Sequence, residues 1–523
     1  METKLDILRR YFGYTSFRRG QEEIVDALLT GRDALCVMPT GAGKSVCYQV
    51  PALLLPGITL VISPLISLMK DQVESLTQAG VHAAYLNSSL TPAQYSRALH
   101  NLSEGLYKLV YVAPERLSTE NFRTAVENLN ISLIAVDEAH CVSQWGQDFR
   151  PDYLKIAEFA ESLKNRPTIG AFTATATKAV RKDIAEHLHL IDPVRVTTGF
   201  DRPNLYFGVQ MPHSKALALL KLIEERPGKC GIVYCSTRRT VEEVDALLND
   251  KGIPSTRYHA GLPEEERRQN QDDFVYDRKP IMVATNAFGM GIDKSNVSFV
   301  IHYNMPRDLE SYYQEAGRAG RDGDPADCLL LYSGQDVITA RWMIEHSDDN
   351  PELDADERAE LQRRDLERLK QMTFYATSKR CLRAFLLRYF GEEAPDDCGS
   401  CSVCEELPFE VDTGRGRLYG MPAKEARQER KRRQESLPFT GWEAAQYENL
   451  RTLRALLAAH FHLPVYMIFS DASLRDMVQK RPKTEDEFLE VSGVGQAKLE
   501  RYGSYFLAVL RDGKEPNSLL QGG

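Results

Sequence analysis

The sequence predicts an α/β chain: two successive lobes built on open parallel sheets, then a helical segment that gathers cysteines, then a small all-α domain. Three observations predict it. Short apolar strands recur between helical patterns, with polar residues at their carboxyl ends, the pattern of a parallel sheet covered on both faces. Near residue 340 the alternation stops and helical periodicity takes over. Four cysteines then cluster between positions 381 and 404.

Composition narrows the class. A chain of 523 residues with 43% hydrophobic content has room for three or four domains with real cores. No apolar run reaches the roughly 18 residues of a membrane span. The start, Met1-Glu2-Thr3-Lys4-Leu5-Asp6, is unlike a secretion signal. A soluble, cytoplasmic protein with no membrane partner is expected. The net charge of −9 argues against a wholly basic nucleic-acid coat, though not against a local basic track. One such run exists, at Arg415, Arg417, Lys424, Arg427, Arg430, Lys431, Arg432 and Arg433. It reads equally as a solvated linker or a nucleic-acid contact. Ten cysteines in this length do not make a disulfide scaffold, and the late cluster reads as metal-binding.

The first lobe opens with Phe12-Gly13-Tyr14-Thr15-Ser16-Phe17-Arg18-Arg19-Gly20-Gln21, ahead of a helical pattern at Ile24, Leu28 and Leu29. Alone this is an ordinary helix start. Upstream of a phosphate loop, the ring of Tyr14, the guanidinium of Arg18 and the amide of Gln21 suit an adenine. The phosphate loop is Met38-Pro39-Thr40-Gly41-Ala42-Gly43-Lys44-Ser45, after the apolar run Ala34-Leu35-Cys36-Val37. Gly41 and Gly43 let backbone N–H groups turn inward at a helix N-terminus, and Thr40 beside them is expected to bind the cofactor too. Lys44 reaches the β/γ-phosphates, and Ser45 holds Mg²⁺. The strict motif has glycine where Met38 stands, so by itself a Gly-rich turn competes with this reading.

Further strands end in polar clusters: Ile58–Ile62, Lys108–Val112, Leu133–Val136 and Ile169–Phe172. The third leads into Asp137-Glu138-Ala139-His140. An acid at the end of a buried strand can hold Mg²⁺, and the adjacent glutamate can orient and deprotonate the attacking water. Next comes Ser143-Gln144-Trp145-Gly146-Gln147-Asp148-Phe149-Arg150-Pro151. Gln144, Trp145, Phe149 and Arg150 suit stacking on unpaired bases. The competing reading packs Trp145 and Phe149, at i and i+4, into a helix core.

The second lobe resumes the alternation with Gly231–Cys235, Ile281–Thr285 and Val300–Tyr303, without a second phosphate loop. Its charged element is Tyr312-Tyr313-Gln314-Glu315-Ala316-Gly317-Arg318-Ala319-Gly320-Arg321. Arg318 and Arg321, three apart, share one helix face. Either they are surface arginines, or they neutralise charge building on a γ-phosphate.

Together these motifs resemble the superfamily 2 helicases, in which the first phosphate-loop glycine is often replaced, as at Met38. More narrowly, the chain resembles the RecQ family of DNA helicases. The resemblance rests on the Gly13–Gln21 and Met38–Gly41 stretches, on Ser63-Pro64-Leu65-Ile66-Ser67-Leu68-Met69-Lys70-Asp71-Gln72, and on the run from Asp137 through Pro151. It implies two RecA-like lobes that close on ATP and open after hydrolysis, moving DNA 3′ to 5′. It implies that Arg318 and Arg321 are a finger-like pair and that Gln314 helps sense hydrolysis. It further implies that the loop at Trp145 couples DNA to ATP. Some members carry histidine where this chain has Gln147.

Cys381, Cys398, Cys401 and Cys404 follow C-x16-C-x2-C-x2-C. Four thiolates favour a closed tetrahedral Zn²⁺ site, with an iron–sulfur cluster as the rival. The spacing is similar to the RecQ zinc subdomain, here preceded by a long helix over about 351–376. RecQ proteins usually continue into a winged helix that wedges duplexes apart, but residues 405–436 are too few for one. A helical pattern then runs through Trp442, Tyr447, Leu450, Leu453, Leu456 and Leu457, and residues 437–513 resemble an HRDC domain. Another helix is expected to be capped at Ser473. Gly493-Val494-Gly495 reads either as a phosphate contact or as a packing corner, with Lys498 and Arg501 as weaker DNA-contact candidates.

The expected layout is 1–199 and 200–340 for the lobes, 341–410 for the zinc subdomain, 411–436 for the basic linker and 437–515 for the HRDC-like domain. The expected function is an ATP-dependent 3′–5′ DNA helicase of recombination and repair, using ATP, Mg²⁺ and Zn²⁺. Its expected partners are single-stranded and forked DNA and a single-strand DNA-binding protein, near the nucleoid. The alternative is an ATP-switched DNA-binding or annealing factor with weak unwinding.

Overall fold

The computed structural model describes residues 2–143, 149–288, 294–346, 355–405, 439, 441–461 and 463–519. The described parts of Met1–Phe200 and Phe439–Gly523 form one compact unit, and those of Asp201–Gly289 and Lys294–Pro438 form another. Among the described residues no helix is long and apolar enough to cross a membrane. The basic run from Arg415 to Arg433, Gln144 and Trp145 all lie outside the described residues.

The first unit holds a seven-stranded sheet. Its strands run in the order Ala83–Leu86, Leu109–Val112, Ile58–Ile62, Ile131–Val136, Thr168–Thr173, Ala34–Val37 and Val194–Thr197. Every described pairing is parallel. Parallel strands must be covered on both faces, which is why Ala34–Val37 and Leu109–Val112 are buried throughout. Helix Gln21–Leu29 sends Ile24 and Leu28 into a core with Cys36, Tyr48, Val61 and Phe172. Val37 is in register with Thr173, and Val136 with Ala171. Three carboxyl ends therefore meet at one edge of the sheet.

The C-terminal part of this unit is helical. Leu450, Leu453 and Leu457 on helix Trp442–Phe461 form one apolar stripe that packs with Ile468, Phe469, Phe488 and Phe506. Phe469 meets Phe506 edge to face at 4.9 Å. Helix Asp471–Lys480 is capped by Ser470, whose side chain accepts from Ser473 N at 3.1 Å, so the cap lies three residues before the expected Ser473.

Gly493-Val494-Gly495 is a packing corner. Gly493 N–H donates to Gly13 O at 3.0 Å. Gly13 has φ +71°, and a Cβ there would lie 2.5 Å from Val494 N. A Cβ on Gly495 would lie 2.8 Å from Arg10 O. Arg501 hydrogen-bonds the Gln78 side chain, and Lys498 lies over the Phe469 ring, where burial lowers its pKa to about 8.

The second unit holds six parallel strands in the order Ser255–Tyr258, Ile281–Ala284, Cys230–Tyr234, Val297–His302, Ala326–Leu331 and Leu205–Gln210. Helix Leu309–Ala316 starts at Asp308, whose carboxylate accepts from Ser311 N at 2.6 Å. The long helix is described over Ala355–Ala376. The cysteine loop lies against the last strand: Ser402 N–H donates to Phe207 O at 2.9 Å, and Val209 N–H donates to Ser402 Oγ at 3.2 Å.

Candidate functional site

The phosphate loop has the local geometry its sequence requires. Gly41 and Gly43 adopt φ +84° and +82°, values that favour glycine, and Gly43 is the N-cap of helix Lys44–Leu54. The loop is braced from behind. Arg18 Nη1 donates to Gly41 O at 2.7 Å, while the buried Gln21 amide donates to Ala42 O at 2.9 Å and Gly43 O at 3.1 Å. Gln21 Oε1 in turn accepts from Arg18 N at 2.9 Å. Two residues expected at the adenine thus hold the phosphate loop, while Tyr14 is exposed. Lys44 Nζ donates to Met38 O at 3.0 Å.

Asp137 extends its strand, its N–H donating to Ile62 O at 2.8 Å, and Tyr153 Oη donates to the Asp137 carbonyl at 2.9 Å. Burial and the neighbouring Glu138 carboxylate push the Asp137 carboxyl up to about 7, while nearby Lys44 pulls the other way. A divalent cation would reverse that balance. Glu138 sits at φ +48°, a conformation a non-glycine residue rarely takes and one found often at functional sites. His140 Nδ1 lies 3.2 Å from a Glu138 oxygen and 2.9 Å from Thr173 Oγ1. Thr173 thereby joins the acidic element to the next strand end, a link not visible in sequence. Phe149 and Arg150 follow, and Arg150 Nη1 donates to Pro64 O at 3.1 Å.

In the second unit, Gln314 lies on helix Leu309–Ala316, while Arg318 and Arg321 lie in the turn beyond its C-terminus and so do not share the helix face expected of them, because the helix ends at Gly317 and Gly320 takes a positive φ. Arg318 is buried and Arg321 partly so. The helix is seated by Glu315, which pairs with fully buried His302 at 2.9 Å, and His302 stacks on Tyr234. Sequence reasoning missed the braces of the turn itself, Arg202 and Asn204. Arg202 donates to Gly317 O at 2.7 Å, Ala319 O at 2.9 Å and Gly320 O at 2.6 Å. Asn204 donates to Gly320 O at 2.9 Å and Asp324 O at 2.8 Å. The only sequence signal was a charged and amide-bearing stretch, Asp201-Arg202-Pro203-Asn204, just ahead of a strand.

The four cysteine sulfurs all lie within 4.8 Å of one another, and Cys398 and Cys404 are 4.0 Å apart. A tetrahedron with metal–sulfur bonds of about 2.3 Å has edges of about 3.8 Å, so the cluster fits Zn²⁺. Backbone N–H groups of Ala384, Ser400 and Cys404 point at the sulfurs of Cys381, Cys398 and Cys401, at 3.4 to 3.5 Å. Such donors stabilise thiolates. Cys381 is the N-cap of helix Leu382–Tyr389, one position before the helix rather than within it.

Residues 18–183 match the DEAD/DEAH box helicase family, and 214–323 match the helicase conserved C-terminal domain. Residues 334–405 match the RecQ zinc-binding family, and 443–510 match the HRDC domain. Among solved structures, the fold is similar to S. cerevisiae Dbp5 bound to RNA and ADP BeF3. That likeness has 17% identity and TM-score 0.52 over 68% of this chain and 94% of the other. It is also similar to Mss116p bound to ssRNA and AMP-PNP, with 15% identity and TM-score 0.56 over 74% and 89%. At these identities the likeness shows the fold alone, that of two parallel-sheet RecA-like lobes.

Sequence relatives go further. The chain is 38% identical to the ATP-dependent DNA helicase RecQ of Bacillus subtilis (strain 168), over 96% of this chain and 97% of that one. It is 36% identical to the RecQ of Pasteurella multocida (strain Pm70), over 98% and 94%. The chain belongs to the RecQ family of ATP-dependent DNA helicases. It hydrolyses ATP and unwinds DNA, and its four-cysteine cluster falls within the residues that match the zinc-binding family.

Proposed function

We propose that this chain is a 3′–5′ motor on single-stranded DNA whose ATP chemistry is divided between its two lobes. The observation that carries the reading is the placement of Asp137 and Glu138. One is a buried acid within the field of Lys44, and the other is held in a rare backbone conformation beside it. Lys44 exchanges the Met38 carbonyl for the β/γ-phosphates. Thr40, Gly41 and Gly43 present backbone to the phosphates, and Tyr14, Arg18 and Gln21 take the adenine. Ser45 and Asp137 hold Mg²⁺, which supplies charge neutralisation at the phosphates. Glu138 orients and deprotonates the attacking water, and His140, bonded to Thr173, reports that step to the next strand end.

Arg318 and Arg321 neutralise charge developing on the γ-phosphate, with Arg321 as the favoured finger, and Gln314 senses its loss. Gln144, Trp145, Phe149 and Arg150 contact DNA. The domain limits are those expected from sequence: 1–199, 200–340, 341–410, 411–436 and 437–515. A cytoplasmic, nucleoid-associated setting in repair and recombination, with a single-strand DNA-binding protein as partner, completes the reading.

Strand displacement on forked duplexes tests polarity. A fork with a 3′ tail is expected to be unwound and one with only a 5′ tail to resist. Equal displacement of both, or a preference for the 5′ tail, would refute it.

A further inference from the structure

We propose that Arg202 is a positioning residue for the arginine pair, and that Arg383 ties it to the zinc module. The inference rests on reading Arg318 and Arg321 as the pair that faces the γ-phosphate.

The turn between the two arginines is a structural problem. Helix Leu309–Ala316 ends at Gly317, so the carbonyls beyond it have no intrahelical partner. Gly320, between Arg318 and Arg321, adopts φ +57°, and a Cβ there would lie 2.5 Å from Asn204 Nδ2. The backbone pins this turn in part, since Gly320 N–H donates to Val297 O at 2.9 Å and Gly323 N–H donates to Gly320 O at 3.1 Å, while Gly317 O and Ala319 O are taken by a side chain.

Arg202 braces the carbonyls of this turn with one side chain. Only 9% exposed, it sends its guanidinium to three carbonyls of a four-residue stretch, those of Gly317, Ala319 and Gly320. A cation past a helix C-terminus also matches the helix dipole. A lysine could not do the same, since one ammonium cannot span three carbonyls as a rigid fork does. Asn204 adds Gly320 O and Asp324 O. Arg318 and Arg321 thus flank a turn whose backbone is fixed from outside.

The brace is itself held. Arg383, 7% exposed, donates to the Asp201 carboxylate and to Arg202 O, both at 2.7 Å, and to Leu205 O. It lies over the Phe207 ring at 5.5 Å. Arg383 is the second residue of the helix that Cys381 caps. A zinc ligand therefore aims that helix, the helix aims Arg383, Arg383 clamps the 201–205 segment, and Arg202 fixes the turn.

DNA-stimulated ATP hydrolysis of the full-length chain tests the proposal. Arg202→Gln and Arg202→Lys are both expected to lower kcat by about 10²-fold, the scale of a small misplacement of a catalytic group. KM for ATP, DNA affinity and zinc content are expected to stay within about threefold of the unaltered chain, since a positioning defect spares ground-state binding. The decisive variant adds Arg202→Gln to Arg318→Ala/Arg321→Ala. If Arg202 acts through the pair, the triple variant loses no more turnover than the pair variant alone. An additive loss overturns the proposal. So does wild-type kcat in Arg202→Lys, or a loss of ATP affinity, DNA affinity and thermal stability in proportion to kcat. If the pair variant itself keeps its turnover, the reading of Arg318 and Arg321 fails instead. Arg383→Gln, compared per zinc-loaded molecule, is expected to show a smaller loss of kcat. An unchanged kcat would sever the zinc module from the turn.

Discussion

In the first unit, the phosphate loop is held by Arg18 and Gln21, 21 to 23 positions upstream, through an exposed guanidinium and one neutral amide. In the second, the arginine turn is held by Arg202 and Asn204, 115 to 120 positions upstream, through a buried cation. The two supports suit different tasks. A phosphate loop offers backbone N–H groups and must trade one partner for another when nucleotide arrives. An arginine turn must present charge at one place, and any play in its backbone is lost transition-state stabilisation. The first support is local and exchangeable. The second is remote and fixed.

The largest effect expected from breaking this contrast is at Lys44. Lys44→Ala should lower ATP turnover by about 10³-fold or more while sparing DNA binding, because the loop's backbone remains and only its cation goes. Normal turnover in a phosphate-release assay would sink the assignment. Chelating the zinc should come next. It is expected to melt the module around Cys381 to Cys404 and to depress turnover through the remote support, while the sheet of the first unit stays folded. Hydrogen exchange resolved by region reads both, and an unaffected module would refute the four-thiolate site. Gly13→Ala probes whether the first unit also relies on a remote contact. The positive φ and the Val494 backbone make it cost about 1–3 kcal/mol, read as faster proteolysis of the 441–519 region.

The smallest effect concerns charge in the second unit. Burial and the Asp308 carboxylate push Glu310 up to about 7, against the pull of the Tyr389 hydroxyl at 2.6 Å and of Arg368. A carboxyl raised in the folded state stabilises below its ordinary value near 4.5, and that contribution is lost as pH rises through about 7. Glu310→Gln cannot ionise, so the fall in Tm between pH 5 and 8 should flatten. An unchanged slope would place that titration elsewhere.

The same contrast explains what could be read from sequence. The phosphate loop, the Asp137-Glu138 pair, the arginine pair and the four cysteines are contiguous or closely spaced, and their chemistry requires particular residue types. Arg202 and Arg383 escaped because their acceptors are largely backbone carbonyls, which carry no residue identity. Those acceptors lie 115 to 118 residues from Arg202 and 178 to 181 from Arg383. Gly493-Val494-Gly495 was ambiguous for a related reason. Backbone N–H groups at a helix start suit a phosphate or a neighbouring carbonyl equally, and only the fold brings Gly13 O to Gly493 N. Strand order was illegible too, since short apolar runs name no neighbour.

Among the described residues, strand Leu205–Gln210 is the last of its sheet, and the outer side of any terminal strand offers unpaired N–H and C=O groups to other chains. Here Cys401 and Ser402 lie along it, taking Phe207 O and supplying the acceptor for Val209 N–H. The metal loop is therefore also a shield against self-association. A chain stripped of zinc should do more than lose a module. It should begin to stick to its copies through that bared strand, faster at higher protein concentration, before its catalytic lobes have unfolded.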